Sequence, residues 1–371
     1  MLDDLLSKLA DATIIAVDTE FFRETTYYPK LALVQIATDS IVACIDPIAF
    51  DAKPGLKKIL CDKNITKIFH SCSQDLEVLF YYLNEIPKPI YDTQIANALL
   101  TDHHQIGYAR LVENELNVQL DKSQTRTNWL QRPLTTKQIQ YAGDDVLYLY
   151  QLHHLLDKKL QDNDRQTWFD EESQNLIPDA SGFQVAIDKL WKRVKGASRL
   201  SRAELAVVQA IAVWREKLAQ KIDKTRRKVL ADDIIIQIAT DPPKDRNSLE
   251  QQITQRYNLT DEDQQQLLNA INTARQSPEN DWPDNRFNAL DNTQKSLLKN
   301  LQLLANTKAD ELSISYALLC SKKDLEQLIL FYADKHDTNS QSDLNITRGW
   351  RLHCIGQQLI DTIKESIVND K

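Results

Sequence analysis

Two acidic residues stand where the sequence predicts a buried strand. Asp18 and Glu20 lie inside the apolar run TIIAVDTEFF, at residues 13–22. Burying a carboxylate is costly unless the group is paired or bound to a cation. Because the two acids are two residues apart, their side chains point to the same face of the strand. This placement predicts a metal site.

Three further residues can complete such a site. Asp75 lies in the first turn of a helix predicted at residues 73–83, directly after the apolar run TKIFHS. Tyr141 and Asp145 are four residues apart on another predicted helix, so their side chains share one face. Mg²⁺ and Mn²⁺ prefer oxygen ligands, and two such cations about 3.5–4 Å apart can hydrolyse a phosphodiester. The sequence therefore predicts that the four acids bind two divalent ions and that the Tyr141 hydroxyl orients the attacking water.

The elements that position these residues follow a mixed pattern. Three β-rich segments lie close together, at residues 13–22, 31–40 and 41–47, and predict an antiparallel meander. After them, short strands at residues 66–71 and 89–93 alternate with helices. This order predicts an α/β domain that has a mixed sheet with helices on both faces. The C-terminal part shows helical periodicity with few strand signals, which predicts all-α domains there.

The composition bounds the class of protein. A chain of 371 residues with 42% hydrophobic and 26% charged residues is typical of a globular protein of two or three domains. No apolar stretch approaches the roughly 18 residues of a membrane-spanning helix, and the acidic N-terminal segment lacks the features of a signal peptide. The five cysteines are scattered singly, which favours free thiols over a zinc site. We therefore predict a cytoplasmic protein with no membrane partner.

Charge is unevenly distributed along the chain. A net charge of −8 argues against nucleic-acid binding, but the distribution of charge matters more than its sum. Residues 189–228 contain 13 lysines and arginines against three acids, a local net charge of +10. A basic stretch of this kind can bind phosphates without sequence preference. A solvated helix face and linker is the alternative interpretation.

A resemblance to a known family rests on three segments, IIAVDTEFFRETTYYPKLALVQIA, KIFHSCSQDLEVL and RPLTTKQIQYAGDDVLYLYQL. In their order and spacing they resemble the three exonuclease motifs of the ribonuclease D family, within the DEDD superfamily of 3′→5′ exonucleases. The resemblance covers residues 10–160 and implies an RNase H-like fold.

The resemblance also implies a role for each candidate residue. Asp18 and Glu20 match the acids of the first motif, and Asp75 matches the acid of the second. Tyr141 and Asp145 match the tyrosine and the acid of the third motif. The Tyr-x-x-x-Asp form implies the tyrosine subclass of these exonucleases.

Two helical segments extend the resemblance toward the C-terminus. LSRAELAVVQAIAVWREKLAQKIDKTRRKVLADDIIIQIA resembles the HRDC domain, and its Ser201 and Glu204 predict a capping box at the start of a helix. NITRGWRLHCIGQQLIDTI resembles the end of a second, divergent HRDC copy. We therefore predict an exonuclease domain at residues 1–165 and HRDC domains at residues 200–280 and 286–371.

These resemblances imply a 3′→5′ exoribonuclease that uses two divalent ions, Mg²⁺ or Mn²⁺. They imply that it trims tRNA precursors and other small structured RNAs and releases nucleoside 5′-monophosphates. The modular layout favours a monomer. Two alternatives stay open, a related exonuclease that acts on DNA and a non-catalytic RNA-binding scaffold with HRDC modules.

Nine residues are candidates for RNA binding. Tyr28, close to the first motif, is a candidate for the entry of the terminal base, with turn packing as the alternative. Arg132 is a candidate phosphate contact, with an N-cap salt bridge as the alternative. The remaining candidates lie in the basic stretch and are Lys192, Arg193, Lys221, Lys224, Arg226, Arg227 and Lys228.

Overall fold

The chain folds into two compact units in a computed structural model, which describes residues 2–121, 123–177, 183, 186–253, 257–283, 290–333 and 344–369. The first unit comprises Met1–Glu20, Leu31–Pro178 and Asn288–Lys371. The second unit comprises Phe21–Lys30 and Asp179–Phe287. The C-terminal segment thus belongs to the same unit as the N-terminal region. Residue 286, where a third domain is predicted to begin, lies outside the described residues.

A five-stranded sheet forms the centre of the first unit. Its strands are β1 (Ile14–Phe22), β2 (Lys30–Ala37), β3 (Val42–Ile45), β4 (Thr66–Phe69) and β5 (Ile90–Asp92). Their order across the sheet is β3-β2-β1-β4-β5. β2 pairs with β3 in antiparallel orientation, whereas β4 runs parallel to both β1 and β5. The predicted mixed sheet is confirmed.

Seven helices accompany the sheet in the described part of the first 177 residues. They are α1 (Leu2–Lys8), α2 (Lys53–Leu60), α3 (Ser73–Leu83), α4 (Thr93–Ala98), α5 (Tyr108–Leu116), α6 (Thr136–Asp162) and α7 (Gln166–Leu176). The long helix α6 begins at a capping box in which Thr135 and Gln138 exchange hydrogen bonds. The side chain of Phe169 on α7 is buried in the core.

The second unit is helical. It contains α8 (Arg202–Lys221), α9 (Arg226–Val229), α10 (Asp232–Thr240), α11 (Arg246–Gln252) and α12 (Asp261–Gln276), after two 3₁₀ turns at Ile187–Arg193 and Ala197–Arg199. The predicted capping box between Ser201 and Glu204 is present at the start of α8. Apolar side chains of α8, α10 and α12 share a core that also contains Trp191 and Trp214.

The C-terminal helices pack into the core of the first unit. They are α13 (Asn292–Leu312), α14 (Tyr316–Leu319), α15 (Lys322–Ala333), α16 (Gly349–Arg351) and, after a π-helical turn at Leu352–Gly356, α17 (Gln357–Asn369). Their buried residues form one cluster with those of α6 and α7. Trp350 stacks on Trp168 of α7, with ring centroids 4.6 Å apart. Its indole nitrogen also donates to Glu172 at 2.8 Å.

Candidate active site

Strand β1 and helix α6 bring three acids together. Asp18 and Glu20 lie two residues apart on β1, and Asp145 lies on α6. One carboxylate oxygen from each of these residues lies within 4.8 Å of the others. Ala16 of β1 and Val146 of α6 belong to the same buried cluster. The cluster of oxygens can hold a divalent cation.

The fourth predicted acid lies beside this cluster and has a partner of its own. Asp75 is 8% exposed and occupies the first turn of α3, as predicted. Its Oδ1 atom accepts a hydrogen bond from the Thr19 hydroxyl at 2.5 Å. Its negative charge helps to raise the pKa of Glu20, so the two carboxylates are close enough to interact. One oxygen of Asp75 is therefore used within the protein.

The turn that leads into α3 depends on a residue with no predicted role. Ser71 has a positive φ of 61°. The carboxylate of Asp92 accepts hydrogen bonds from the backbone nitrogens of Ser71 at 3.0 Å and Cys72 at 2.9 Å. It also accepts one from Gln94 at 2.8 Å and so caps α4. Asp92 thereby fixes the start of α3 and the position of Asp75. The sequence signal that could have identified this role was the position of Asp92 at the junction of a strand and a helix.

Burial and mutual repulsion favour protonated carboxyl groups at this site. Burial raises the pKa of Asp18 to about 6. Burial, followed by the charge of Asp18, raises that of Asp145 to about 8. Burial and the charges of Asp18, Asp145 and Asp75 raise the pKa of Glu20 to about 10. Burial also raises the pKa of Asp75 well above its usual range. Bound cations would reverse these shifts, so this set of oxygen donors fits divalent metal ions.

Tyr141 lies one helical turn before Asp145 and faces the same acids. Burial, together with the charge of Asp145, raises the pKa of the Tyr141 phenol above its usual range. The Thr125 side chain forms a hydrogen bond with this phenol. The Trp129 ring packs nearby, with its centroid 6.1 Å from that of Tyr141. Tyr141 is therefore a neutral hydroxyl at physiological pH and can give or accept a hydrogen bond.

Arg132 is engaged within the first unit. Its Nε and Nη2 atoms donate to the two oxygens of Asp46 at 2.6 and 2.8 Å. Its other donors reach the carbonyl oxygens of Ala32 and Trp129, both at 2.7 Å. The hydrogen bonds from Arg132 lower the pKa of Asp46. The structure thus shows a salt bridge to Asp46, which does not lie at a helix N-cap, and RNA binding by Arg132 would compete with these bonds.

Tyr28 belongs to a short segment that is held on the second unit. The backbone nitrogens of Tyr27 and Tyr28 both donate to Asp223 at 3.0 Å. The Tyr27 hydroxyl donates to Glu216, which also binds Arg226 through Nη2 at 2.7 Å. Arg226 therefore has a structural partner within the second unit.

The other basic candidates lie on the surface of the second unit. Those with exposed side chains are Lys192, Arg193, Lys221, Lys224, Arg227 and Lys228. The Lys192 ammonium lies 5.5 Å from the centroid of the Trp191 ring, to which it is adjacent in sequence. Two further cations of the same stretch have partners within the second unit. Arg215 is buried against Asp232, and the half-buried Arg202 donates to the carbonyl oxygen of Glu279 at 2.8 Å.

Comparisons with known proteins agree with these features. A 3′–5′ exonuclease family profile matches residues 1–161, and an HRDC domain profile matches residues 204–261. Ribonuclease D of Bartonella henselae is 32% identical over 370 residues, which cover 99% of this chain and 89% of that protein. Ribonuclease D of a Shewanella species is 34% identical over 363 residues, which cover 96% of this chain and 91% of that protein. The chain belongs to the ribonuclease D family.

A solved structure of a ribonuclease D supports the same assignment. Escherichia coli RNase D, an exoribonuclease involved in structured RNA processing, matches with a TM-score of 0.83 and 29% identity over 98% of this chain and 96% of that one. The catalytic core of RRP6 from Trypanosoma brucei shares the fold, with a TM-score of 0.56 and 23% identity over 74% of this chain and 78% of that one.

Membership in the ribonuclease D family gives the class of activity. The chain is a hydrolytic 3′→5′ exoribonuclease that uses divalent metal and acts on nucleic acid. None of the helices among the residues that the structure describes has the length and apolarity needed to span a bilayer.

Proposed function

We propose that this ribonuclease D removes nucleotides one at a time from the 3′ ends of tRNA precursors and other small structured RNAs. The observation that carries the proposal is the convergence of Asp18, Glu20 and Asp145 beside Tyr141. Processing of structured RNA by the similar Escherichia coli enzyme supports the substrate class. The products would be nucleoside 5′-monophosphates. We further propose that the enzyme is a cytoplasmic monomer.

We assign the four acids to the binding of two divalent ions, Mg²⁺ or Mn²⁺. When bound, such ions lower the pKa of water and stabilise the charge that develops on the phosphate. Asp18 and Glu20 present their carboxylates from one face of β1, and Asp145 presents its carboxylate from α6. Asp75 contributes the oxygen that Thr19 leaves free. The crowding that raises the pKa values of these acids explains why cations are needed to keep all four ionised.

Tyr141 acts as a hydrogen-bonding group and not as a base. Burial and the charge of Asp145 hold its pKa above the usual range, so the hydroxyl keeps its proton at neutral pH. A neutral hydroxyl can accept a hydrogen bond from the attacking water or donate one to the phosphate. The hydrogen bond with Thr125 restricts the position of the phenol oxygen and thus the direction of this contact.

The second unit is the proposed binding surface for the body of the RNA. Its exposed cations are suited to phosphate contacts, which give affinity without sequence choice. We assign these contacts to Lys192, Arg193, Lys221, Lys224, Arg227 and Lys228, with Tyr28 and Arg226 in supporting positions. An HRDC domain profile matches this part of the chain.

Timed digestion of a 3′-extended tRNA tests the proposal. With Mg²⁺ or Mn²⁺ we expect stepwise shortening from the 3′ end and release of 5′-monophosphates, and with a chelator we expect none. Asp18→Ala should abolish trimming, while the exposed Asp39→Ala should trim at the wild-type rate. Trimming by Asp18→Ala in Mg²⁺ would show that the site is wrongly assigned.

Two matched substrates and one binding measurement separate the alternatives. Faster removal of residues from a DNA strand than from an RNA strand of the same sequence would favour the DNA exonuclease. Tight RNA binding without metal-dependent cleavage of any substrate would favour the non-catalytic scaffold.

A further inference from the structure

The segment before α6, at residues 125–133, packs against the tyrosine of the proposed site. Trp129 of this segment is 5% exposed, and its ring lies in a small apolar cluster with Ala32 of β2 and Ala142 of α6. Tyr141 packs against the same cluster. Its ring centroid is 6.1 Å from that of Trp129, and the two ring planes are 41° apart. Aromatic pairs interact at such separations, so the Trp129 ring forms one wall of the space that the Tyr141 ring occupies.

Every donor of the Arg132 guanidinium has an acceptor within the first unit. A guanidinium has five N–H donors and no acceptor. Nε and one Nη2 donor reach the two oxygens of Asp46 at 2.6 and 2.8 Å. The second Nη2 donor reaches the Ala32 carbonyl oxygen at 2.7 Å. The two Nη1 donors reach the carbonyl oxygens of Trp129 at 2.7 Å and Gln131 at 2.8 Å. A phosphate could therefore bind Arg132 only in place of one of these acceptors.

These hydrogen bonds attach the segment before α6 to the sheet. Ala32 belongs to β2 and Asp46 directly follows β3, so the guanidinium joins two adjacent strands to the segment. A further bond ties the segment to α6, because the Gln138 side chain donates to the Thr127 hydroxyl at 3.2 Å. Gln138 is 6% exposed and belongs to the capping box at the start of α6. The segment is thus held both by the sheet and by the helix that carries the tyrosine.

We propose that Trp129 and Arg132 are positioning residues for Tyr141. Arg132 fixes the backbone that carries Trp129, and the Trp129 ring sets the position of the Tyr141 ring. The phenol oxygen lies at the end of that ring, so a shift of the ring displaces the hydroxyl from the attacking water or the phosphate. The inference rests on the proposed role of Tyr141 in hydrolysis, and it assigns Arg132 to the protein framework and not to RNA.

Arg132→Lys separates positioning from phosphate contact, because it keeps the charge but loses the planar set of donors. A displacement of about 1 Å at a reacting centre can cost about 10²-fold in rate, so we expect a partial displacement to lower kcat about tenfold. KM for a 3′-extended tRNA and the salt dependence of RNA binding should stay at the wild-type values. The control is Arg110→Lys, which changes an exposed arginine of α5 and should leave kcat unchanged. A raised KM with wild-type kcat in Arg132→Lys would overturn the proposal.

A double-mutant cycle tests whether Trp129 acts through Tyr141. Trp129→Leu removes the aromatic ring and should lower kcat about tenfold. It should add little once Tyr141→Phe has removed the hydroxyl, because both changes then affect the same group. The conservative Trp129→Phe keeps a ring and should retain most of the rate. If Trp129→Leu does not fold, Arg132→Lys takes its place in the cycle. Equal fold losses in both backgrounds would show general loosening of the site and contradict the proposal.

Mn²⁺ binding to the same variants separates an effect on the tyrosine from an effect on the acids. Titration calorimetry without RNA should give the wild-type Mn²⁺ affinity for Arg132→Lys and for Trp129→Leu, since neither residue is an assigned ligand. A loss of Mn²⁺ affinity that parallels the loss of kcat would refute the proposal. The rates are measured on matched RNA and DNA strands. If the wild type degrades only the DNA strand, the proposed function fails, while the same comparisons on DNA still decide the roles of Trp129 and Arg132.

Discussion

The Thr19 hydroxyl donates a hydrogen bond to Asp75 at 2.5 Å and links the first strand of the sheet to the start of α3. Thr19 lies between Asp18 and Glu20 in sequence, so three consecutive residues of β1 serve the same site. Removal of this donor should change the site more than it changes the fold.

We expect Thr19→Val to lower the trimming rate by about tenfold, because an oriented ligand loses its hydrogen-bond partner. The change keeps the shape of the side chain, so the melting temperature should shift only slightly. Single-turnover digestion of a 3′-extended RNA measures the rate. Thr101→Val is the control, since the Thr101 hydroxyl bonds to Asn97 away from the acids. Equal rates for Thr19→Val and the wild type would contradict this interpretation of the hydrogen bond.

The metal-free protein should become less stable as the pH rises. The folded-state pKa values of Asp18 and Asp145 are raised from 3.8 to about 6 and about 8. Below the pKa that these groups have in the unfolded chain, their contribution to the free energy of unfolding is at its maximum. This contribution is lost as the pH rises through about 6 to 8. Added Mg²⁺ or Mn²⁺ should raise the melting temperature more at pH 8 than at pH 5. Thermal melts of the chelated and the metal-saturated protein measure both effects, and a chelated protein that is more stable at pH 8 would contradict them.

We expect Tyr141→Phe to lower the trimming rate by about 10²–10³-fold, the usual cost of losing one oriented donor at a reacting group. The affinity for Mn²⁺ should change little, because the phenol is not an assigned ligand. The phenol keeps its proton across the physiological range, since burial and Asp145 raise its pKa. The pH dependence of the residual rate should therefore have the wild-type shape between about pH 6 and 9. A lost basic limb in Tyr141→Phe would instead indicate that this tyrosine titrates.

Removal of exposed cations from the second unit should weaken RNA binding and its dependence on salt. Lys224→Gln combined with Arg227→Gln should lower the slope of log K against log[salt] by about 0.7 for each phosphate of a single strand that the protein no longer neutralises. The control pair is Lys295→Gln with Lys299→Gln, which removes two exposed cations of α13 in the first unit. Filter binding at several salt concentrations gives both slopes. The same slope in both double variants would argue against this surface.

Loss of the ion pair between α7 and α16 should destabilise the first unit. Arg351 donates to Glu172 at 3.0 Å through Nη2, and both side chains are only 13% exposed. Glu172→Ala leaves a largely buried guanidinium without its carboxylate and should cost about 3–5 kcal/mol. Glu311→Ala breaks an exposed pair with Lys308 and should cost less than about 1 kcal/mol. Urea denaturation compares the two, and equal costs would contradict a structural role for the Glu172 pair.

Local sequence patterns predicted much of the site because pairs of its residues lie on the same strand or the same helix. The spacing of Asp18 and Glu20 on a strand, and of Tyr141 and Asp145 on a helix, fixes which side chains share a face. The structure places Asp18, Glu20 and Asp145 together, and their catalytic roles stay predictions. Trp129 was not predicted, because only tertiary packing brings its ring beside that of Tyr141.

The partners of a helix are harder to predict than the helix itself. The sequence predicts helices in the C-terminal part of the chain, and α16 begins there at Gly349. It did not predict that Trp350 stacks on Trp168, because a hydrophobic face does not identify its partner. Phe169 likewise joins α7 to this core through packing that its local sequence does not identify.

The division of the chain between its two units determines the order in which the segments of the first unit are synthesised. The first unit is interrupted twice along the chain. Its first segment ends at Glu20 and the second begins at Leu31, and the second ends at Pro178 and the third begins at Asn288. The acids of the site are thus translated long before α13 to α17, which share a core with α6 and α7. Since domains fold as units during synthesis, the nuclease unit is completed only after the ribosome has passed the HRDC segment. A chain that stops early in this segment lacks part of the nuclease core, so a released fragment carries the acids of the site without the helices that complete their unit.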